Sequence, residues 1–321
     1  MKYLVTGGAG FIGSNLCREL LEQGHEVACL DDLSTGNLRN INELESNPRF
    51  EFFNHDLTKP FFPDKIDAIF NLACPASPVH YQYNPIRTLK MGTLAMYNVL
   101  GMAAKLNIPI LQASTSEVYG KAMHYNKSSQ GLKEDHDSVF GNTSIRRWAY
   151  ATSKALDEFM TLAYYYEKQL PAVIVRFFNT VGPGQLGDYG MVLPIFVHKA
   201  LANDPIPIFG DGSQRRSFTH VDDASKAIIK LMNTDSALGQ VFNVGNENEI
   251  TIKELAELVI KKCNSKSKIE YIPYEKAYGN GFEDMKRRKP DLNKIRKLIN
   301  YSPKIDLDSI INQVIEYQRS A

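Results

Sequence analysis

The pattern of apolar and polar positions in the first third of the chain alternates between strand-like and helix-like segments. Tyr3-Leu4-Val5 is a short β-type run, and Phe11 to Gln23 carries apolar residues at helical spacing. Gly24 is a stop signal for that helix, and Glu26 to Leu30 predicts a second strand. Strands that alternate with helices are typical of right-handed βαβ units and therefore predict a parallel sheet.

The alternation continues along the chain, with helical periodicity over residues 85–105 and 149–168. Further strands are predicted at Phe50–Phe53, Ala68–Leu72, Ile108–Gln112, Val173–Phe178 and Gln240–Val244. The predicted fold class is therefore α/β, with a Rossmann-type doubly wound parallel sheet and a smaller C-terminal substrate-binding domain.

The pattern loosens after about residue 180, where a loop-rich region begins. It is punctuated by Pro183, Pro194, Pro205 and Pro207. The segment from Thr251 onward is helical and basic. We expect a Rossmann domain at residues 1–180, to which a strand at 240–245 returns, and an interleaved substrate-binding domain at 181–321.

Composition and charge limit the range of partners. The chain has 321 residues, of which 43% are hydrophobic and 23% charged, and its formal net charge is +1. A nearly neutral chain has no polyanion-binding pattern, so we expect no nucleic acid partner. No apolar run reaches the length of a membrane-spanning helix, and no basic leader precedes the first strand. We therefore expect a cytoplasmic protein that does not bind membranes.

The four cysteines do not form a metal-binding pattern. Cys17, Cys29, Cys74 and Cys263 are far apart, with no CxxC pair. A zinc site needs clustered thiolate or imidazole ligands. We expect reduced, mostly buried thiols and no metal.

A glycine-rich segment lies between the first strand and the first helix. Its sequence is Thr6-Gly7-Gly8-Ala9-Gly10-Phe11-Ile12-Gly13. Gly7 would permit the tight turn, Gly10 would let the backbone approach a pyrophosphate, and Gly13 would allow close helix–strand packing. The N-terminus of the helix offers free N–H groups and a partial positive charge to the phosphates. The segment therefore predicts a dinucleotide site.

An acidic pair, Asp31-Asp32, ends the second predicted strand. Asp31 is placed to accept hydrogen bonds from the adenosine ribose, and a carboxylate there would repel a 2′-phosphate. We therefore expect NAD rather than NADP, and residues 1–180 as the NAD-binding domain.

Asp56-Leu57 would flank the adenine, although such a dipeptide is equally typical of a surface loop. Leu72-Ala73, at the end of the fourth strand, completes the expected cofactor contacts.

Tyr150 and Lys154 lie four residues apart, which on a helix places both side chains on one face. A tyrosine with a pKa near 10 is a poor base at neutral pH, but a nearby ammonium group and a positive nicotinamide favour its phenolate. The pair therefore predicts removal of an alcohol proton during hydride transfer. A non-catalytic NAD-binding regulatory protein, the alternative from another class, would not need this pair.

Together these motifs resemble those of the extended short-chain dehydrogenase/reductase family, over essentially the whole chain. Further matching segments are Ser114-Thr115-Ser116-Glu117-Val118-Tyr119-Gly120, Arg176-Phe177-Phe178-Asn179 and Arg216-Ser217-Phe218-Thr219-His220-Val221-Asp222-Asp223. The resemblance implies a nucleotide-sugar substrate whose carbon is oxidised by NAD. It also implies that the ketone reacts further and is often reduced again.

Three segments look like those of UDP-glucuronate decarboxylases, also called UDP-xylose synthases. They are the loop from Leu72 to Pro85, the triplet Thr115-Ser116-Glu117, and Arg287-Arg288-Lys289-Pro290-Asp291. The resemblance implies that Arg288 faces the substrate carboxylate and that Thr115 or Ser116 hydrogen-bonds the C4 oxygen. It also implies that Glu117 protonates or positions groups near C5.

The same resemblance implies further substrate contacts. Asn179 and Arg216 are expected at the diphosphate, and Phe209 is expected against the nucleotide base. The remaining expected contacts are Pro75, Tyr81 and Val192. His220 is expected to be a structural histidine. The segments 90–105 and 149–168 imply a homodimer that pairs through four helices.

Some positions depart from the decarboxylase pattern. Gly184 and Met191 stand where arginines are usual, Gly92 replaces an expected asparagine, and the Tyr150–Lys154 segment has the style of epimerases and dehydratases. A nucleotide-sugar 4-epimerase or 4,6-dehydratase therefore remains an alternative within the family.

Overall fold

The computed structural model describes residues 1–76, 83–125, 131–185, 191–278 and 285–320. A seven-stranded parallel sheet forms its centre, in the order β3-β2-β1-β4-β5-β6-β11. Numbered in chain order, these strands are β1 (Lys2–Thr6), β2 (Glu26–Asp31), β3 (Phe50–Asn54), β4 (Ala68–Asn71), β5 (Ile110–Thr115), β6 (Ala172–Phe177) and β11 (Gln240–Val244). The predicted α/β fold class with a doubly wound parallel sheet is confirmed.

The order of the strands creates a crevice at one edge of the sheet. The chain runs outward from β1 to β3, then crosses back to place β4 on the other side of β1. Connections on the two sides of this point leave in opposite directions, so a cleft opens beyond the carboxyl ends of the strands. Thr6 is paired with Leu30 on one side and with Asn71 on the other.

Helices cover both faces of the sheet and build the smaller part of the protein. The helices are α1 (Phe11–Glu22), α2 (Pro85–Lys90), α3 (Met96–Leu106), α4 (Ala122–Tyr125), α5 (Arg147–Lys168), α6 (Val192–Ala202), α7 (Val221–Met232), α8 (Ile252–Cys263), α9 (Tyr274–Tyr278), α10 (Asn293–Ile299) and α11 (Leu307–Ser320). Within the described residues, none of them is long and apolar enough to cross a membrane.

The predicted helix at 85–105 consists of two α-helices joined by a π-helical segment. The side chain of Asn84 accepts a hydrogen bond from the backbone N–H of Arg87, and Pro85 occupies the first helical position, where no N–H is needed. Met91–Ala95 is π-helical and leads directly into α3. Asn107, in the left-handed conformation, ends α3.

The two faces of the sheet have separate apolar cores. On one face α1 and α7 pack against side chains such as Val5, Val27 and Val175. On the other face α3 packs against side chains such as Leu4 and Ile69. Because both faces are covered, the strands are nearly continuous apolar runs, and for this reason they could be predicted from sequence.

A third core lies in the C-terminal half, between α6, α8 and α11. Three small sheets accompany it: β7–β10, β8–β13 and β12–β9–β14. Their strands are β7 (Thr180–Val181), β8 (Ile206–Phe209), β9 (Arg215–Ser217), β10 (Thr219–His220), β12 (Glu249–Thr251), β13 (Ile269–Ile272) and β14 (Arg287–Arg288). The division of the chain at residue 180 stays a prediction, with β11 lying beside β6 in the main sheet.

Asn243 ties strand β11 to two other segments. Its side chain is fully buried and accepts a hydrogen bond from the Tyr119 hydroxyl at 2.7 Å. Its Nδ2 donates to the carbonyl oxygens of Leu132 at 2.8 Å and Asp291 at 3.2 Å. A buried amide with three partners fixes the edge of the sheet against the loops that lead toward the cleft.

The Asn243→Ala substitution is expected to lower the free energy of unfolding by about 2–4 kcal/mol, because it leaves the buried Tyr119 hydroxyl and two carbonyls without that partner. Urea unfolding followed by circular dichroism measures the change. Asn312→Ala is the control: Asn312 accepts an exposed hydrogen bond from Lys262, so its loss should change stability by less than about 1 kcal/mol. Equal losses in both variants would contradict the role given to Asn243.

Candidate active site

A cavity of about 340 Å³ opens at the carboxyl ends of the central strands. It brings together residues predicted for cofactor binding, catalysis and substrate binding. Those that line it are Gly7, Gly10, Phe11, Ile12, Gly13, Asp31, Asp32, Leu57, Leu72, Ala73, Pro75, Thr115, Ser116, Glu117, Tyr150, Lys154, Asn179 and Arg288. One cavity therefore joins the glycine-rich turn to the Tyr150–Lys154 pair.

Some predicted site residues do not line the part of the cavity formed by the described residues. The Asp56 carboxylate accepts a hydrogen bond from the Thr58 backbone at 2.9 Å and so stabilises its own turn. Val192 begins α6 and packs against the third core, and Phe209 ends β8. Tyr81 lies outside the described residues.

Arg216 also lies outside the lining, but it remains close to the site. It is on β9 and is paired in register with Arg288 of β14. It is 7% exposed, and its positive charge contributes to the low pKa of the Glu117 carboxyl. Arg216 therefore belongs to the charged surroundings of the site.

The glycine-rich turn is packed too tightly for larger residues. A Cβ atom on Gly13 would lie 2.1 Å from the carbonyl oxygen of Gly7, so α1 can approach the turn only without a side chain there. Gly7 has a φ of +66°, which L-residues with a Cβ rarely adopt.

The N-terminus of α1 is suited to an anion. Gly10 is its N-cap, and among the described residues no side chain caps this helix. Its first N–H groups therefore point toward the cavity edge without a protein side chain as acceptor. A pyrophosphate supplies the missing acceptors, so these residues fit a dinucleotide.

Asp31 ends β2 at the rim of the cavity. Its carboxylate accepts hydrogen bonds from the backbone N–H groups of Ala9, at 3.0 Å, and Leu33, at 2.9 Å. Burial raises the pKa of this carboxyl, and the backbone donors oppose that effect. Asp32 instead forms an ion pair with Arg87 of α2. The second acidic residue thus connects the cofactor rim to the helix that follows the 72–85 loop.

Helix α5 carries both members of the predicted catalytic pair into the cavity. Tyr150 and Lys154 are 6% and 4% exposed. The Lys154 Nζ donates to Asp157 Oδ2 at 2.5 Å, one turn further along the helix. Burial tends to lower the pKa of Lys154, but nearby groups, of which the Asp157 carboxylate is the most important, together leave that pKa raised. Lys154 is therefore a charged ammonium at neutral pH.

Glu117 lies between two arginines from distant parts of the chain. Its Oε2 accepts a hydrogen bond from Arg147 Nη2 at 3.0 Å, and its Oε1 is paired with Arg288. Arg288 also donates to the Asn179 side chain at 2.9 Å. Burial alone would raise the pKa of Glu117, but the charges of Arg147 and Arg288 hold it at about 2. Glu117 is therefore ionised throughout the neutral range.

The structure adds cavity-lining residues that were not predicted from the sequence. They are Leu30, Ser34, Thr35, Asn40, His55, Cys74, Ala76, Met91, Ala113, Ser114, Phe177, Thr180, Gly184, Gln185 and Met191. Asn40 is held in place by a 2.9 Å hydrogen bond to the carbonyl oxygen of Ala9. Burial raises the pKa of the Cys74 thiol to about 11, so it is protonated at neutral pH. The sequence signal for Cys74 was its position within the Leu72–Pro85 loop, and Ser114 and Phe177 likewise lie in the matched segments.

His220 has a structural environment. Its Nδ1 accepts a hydrogen bond from the Asp222 backbone at 3.1 Å, which caps α7, and its Nε2 lies 2.8 Å from Gln313 Oε1. It is 1% exposed and does not line the cavity formed by the described residues. Within those same residues, no group of three or more His, Cys, Asp or Glu side chains is arranged to hold a metal ion.

Comparison with curated proteins shows similarity to decarboxylases of nucleotide sugars. The chain is 37% identical to UDP-glucuronic acid decarboxylase 1 of Arabidopsis thaliana over 96% of its own length and 67% of that relative. It is 35% identical to UDP-N-acetyl-alpha-D-glucosaminuronate decarboxylase of Bacillus cytotoxicus, over 99% of its own length and 98% of that relative.

Comparison with solved structures shows the same fold in a related enzyme. UDP-glucuronic acid 4-epimerase from Bacillus cereus, in complex with UDP-glucuronic acid and NAD, aligns with a TM-score of 0.87 and 26% identity. The alignment covers 100% of this chain and 99% of that one.

The model of the NAD dependent epimerase/dehydratase family matches residues 3–245, which include the glycine-rich turn and the Tyr150–Lys154 pair. With the full-length similarity to curated relatives, this establishes the resemblance inferred from the motifs. The chain is thus an NAD-dependent enzyme of the epimerase/dehydratase family.

Proposed function

We propose that the protein decarboxylates UDP-glucuronate to UDP-xylose, or to its 4-keto form. The observation that carries this proposal is the position of Arg288. Its guanidinium lines the cavity that also contains Tyr150, and it is held there by Glu117 and Asn179. A guanidinium can bind a carboxylate with two parallel hydrogen bonds, which a neutral sugar does not offer.

The proposed first step is oxidation at C4 of the sugar. Tyr150 removes the proton of the C4 hydroxyl, and the charged Lys154 stabilises the phenolate that this role requires. The glycine-rich turn and Asp31 would hold NAD, which would supply the acceptor for the hydride from C4. Thr115 ends β5, Ser116 follows it, and both line the cavity, which supports hydrogen bonds from their hydroxyl groups to the C4 oxygen.

The second step is loss of carbon dioxide from the resulting β-keto acid. The C5–C6 bond breaks, carbon dioxide leaves, and the electron pair passes into the C4 carbonyl as an enolate. Hydrogen bonds from Thr115 and Ser116 stabilise the negative charge that develops on the C4 oxygen. C5 then takes up a proton from water. Return of the hydride to C4, with Tyr150 giving its proton back to the C4 oxygen, would give UDP-xylose, whereas release before that step would give the 4-keto pentose.

We assign Glu117 a positioning role in this reaction. Because its pKa is about 2, it carries no proton to donate at neutral pH. Its two oxygens hold Arg147 and Arg288, so that Arg288 is oriented before the substrate carboxylate arrives. Of the two roles implied by the resemblance, positioning therefore has more support than protonation at C5.

The similarity to one bacterial relative makes a second UDP-uronate a candidate substrate. The Bacillus cytotoxicus relative, a UDP-N-acetyl-alpha-D-glucosaminuronate decarboxylase, is matched over 98% of its length. UDP-N-acetyl-glucosaminuronate would present the same carboxylate to Arg288 and would differ from UDP-glucuronate at C2.

Epimerase or dehydratase activity stays the alternative within the family. Gly184 and Met191, which depart from the decarboxylase pattern, both line the cavity. Gly92 packs against Ser153, where a Cβ would lie 2.7 Å from the Ser153 Cβ, so the asparagine expected there would not fit without a shift. Two of these three differences therefore lie at the site itself.

Incubation of the purified protein with NAD and either UDP-uronate tests the proposal. We expect a product that has lost the mass of carbon dioxide, identified by mass spectrometry, with proton NMR distinguishing a UDP-pentose from its 4-keto form. An isomer of unchanged mass would identify a 4-epimerase instead. Loss of water from a neutral nucleotide sugar would identify a dehydratase.

Arg288→Gln is expected to lower kcat/KM for the uronate by about 100-fold or more, because the variant loses a charged contact to the carboxylate. Affinity for UDP, which has no carboxylate, should change by less than about threefold, as measured by calorimetry.

Arg287→Gln is the matched control for this substitution. The neighbouring Arg287 binds Glu249, with Nε at 2.8 Å from Oε1, and does not line the cavity formed by the described residues. Its variant should keep kcat/KM within about threefold of the unaltered protein. If the two variants lost activity equally, Arg288 would have no special role toward the substrate.

The homodimer expected from the resemblance is part of the proposal. Helix α5 exposes Leu156, Phe159 and Tyr166 on one face, at helical spacing. The adjacent α2 and α3 expose Ile86 and Tyr97. A contiguous apolar surface of this kind favours an interface, and two-fold pairing of these helices would form a four-helix arrangement.

Phe159→Asp is expected to shift the protein to a monomer, because it places a charge at the centre of this apolar face. Size-exclusion chromatography with light scattering measures the mass. Phe62→Asp is the control, since Phe62 is 75% exposed and Phe159 74%, but Phe62 lies outside these helices. A monomeric unaltered protein, or an unchanged mass for Phe159→Asp, would contradict the homodimer.

A further inference from the structure

We propose that Asp157 is a positioning residue, which holds the Lys154 ammonium against α5 and leaves its other N–H donors free to bind the cofactor ribose. The proposal rests on the role given above to the Tyr150–Lys154 pair, but not on the identity of the sugar. Neither the sequence motifs nor the proposed reaction assigned Asp157 a function.

The geometry places Asp157 behind Lys154, as seen from the cavity. The two side chains are each 4% exposed, and Lys154 Nζ lies 2.5 Å from Asp157 Oδ2. Lys154 lines the cavity, whereas Asp157 does not. An ammonium group has three N–H donors. Within the described residues Asp157 takes one of them, which leaves two for a ligand bound in the cavity that Lys154 lines.

Asp157 is itself fixed by a row of buried polar side chains across the sheet. Gln112 Nε2 lies 3.4 Å from Asp157 Oδ2, and Gln112 Oε1 accepts from Asn71 Nδ2 at 2.6 Å. Thr6 donates to Asn71 Oδ1 at 2.5 Å. The row therefore runs from the strand before the glycine-rich turn to the carboxylate that holds Lys154.

Besides Tyr150, one helical turn earlier, the titratable groups that act on the pair within the described residues are Glu158 and Cys74. Glu158 follows Asp157 on α5, and its carboxylate binds Arg176 at 2.7 and 2.9 Å. Cys74, after β4, also faces the pair, and its raised pKa keeps it neutral at pH 7. Lys154 and Asp157 are thus the opposite charges that compensate each other in this part of the buried site.

This arrangement predicts that Lys154 loses its positive charge at a lower pH when Asp157 is absent. Burial lowers the pKa of Lys154, and Asp157 is the largest influence that opposes burial. If asparagine replaces Asp157, the largest influence that offsets burial is lost, and the pKa of Lys154 falls. The ammonium is then present only below the lowered pKa and is lost as pH rises through it.

NAD affinity measured by calorimetry as a function of pH tests the proposal without turnover. From pH 7 to 9.5, the affinity of the unaltered protein should change by less than about twofold, because Lys154 stays charged. Over the same range Asp157→Asn should lose about tenfold in affinity. Adding Lys154→Arg to Asp157→Asn should remove this loss, since an arginine side chain keeps its charge.

Glu158→Gln is the control for general damage to the helix. Glu158 is the next residue, has a side chain that is 9% exposed, and binds Arg176 rather than Lys154. Glu158→Gln should retain the pH dependence of the unaltered protein, even if it melts at a lower temperature. A pH-independent affinity in Asp157→Asn, or the same loss in Glu158→Gln, would overturn the proposal.

A second measurement uses the unaltered protein and so does not depend on the folding of a variant. Calorimetry in buffers of different ionisation enthalpy gives the number of protons taken up when NAD binds. Near pH 9 we expect an uptake close to zero, because Lys154 is already charged. Uptake approaching one proton would show a neutral lysine in the free protein and would overturn the proposal. Neither result depends on whether UDP-glucuronate is the substrate.

Discussion

Pairing of buried opposite charges at the carboxyl ends of the parallel strands is the interaction on which the site depends. An unpaired charge in this environment would cost several kcal/mol, so each ion must have a partner. Glu117 is paired with Arg147 and Arg288, Lys154 with Asp157, and Arg176 with Glu158. Helix α5 supplies a member of each of these pairs except Glu117–Arg288, namely Arg147, Lys154, Asp157 and Glu158. Its packing against β5 and β6 therefore sets the electrostatics of the cavity.

The fold divides the chemistry between two parts of the chain. The turn between β1 and α1, with Asp31 at the end of β2, lines the part of the cavity that we propose for NAD. Strand β14, from the C-terminal part, carries Arg288 into the same cavity. The contact between Arg288 and Glu117 joins residues 171 positions apart. In the proposed reaction, oxidation by NAD at C4 and binding of the carboxylate by Arg288 can therefore occur on the same sugar ring.

Much of the central sheet could be predicted from sequence, because buried parallel strands are apolar runs separated by helices. The run Tyr3-Leu4-Val5 lies within Lys2–Thr6, and Gln240–Val244 has the predicted bounds.

The small sheets were not predicted, because strands of two to four residues, such as β7 and β14, are too short to show a period. Ion pairs between distant segments, such as Glu117 with Arg147, depend on tertiary packing, which no local pattern shows. Asp157 gave no sequence signal because a single carboxylate on a helix is usually exposed to solvent.

A crystal structure of the Tyr150→Phe variant with NAD and UDP-glucuronate tests the central claim most directly. The account predicts that the uronate carboxylate lies within hydrogen-bond distance of Arg288, with its C4 hydroxyl facing position 150 and Thr115 or Ser116. It also predicts that Lys154 contacts the ribose of NAD while remaining paired with Asp157. A sugar bound with its carboxylate directed away from Arg288, or with C4 outside the reach of position 150, would contradict the proposed decarboxylation.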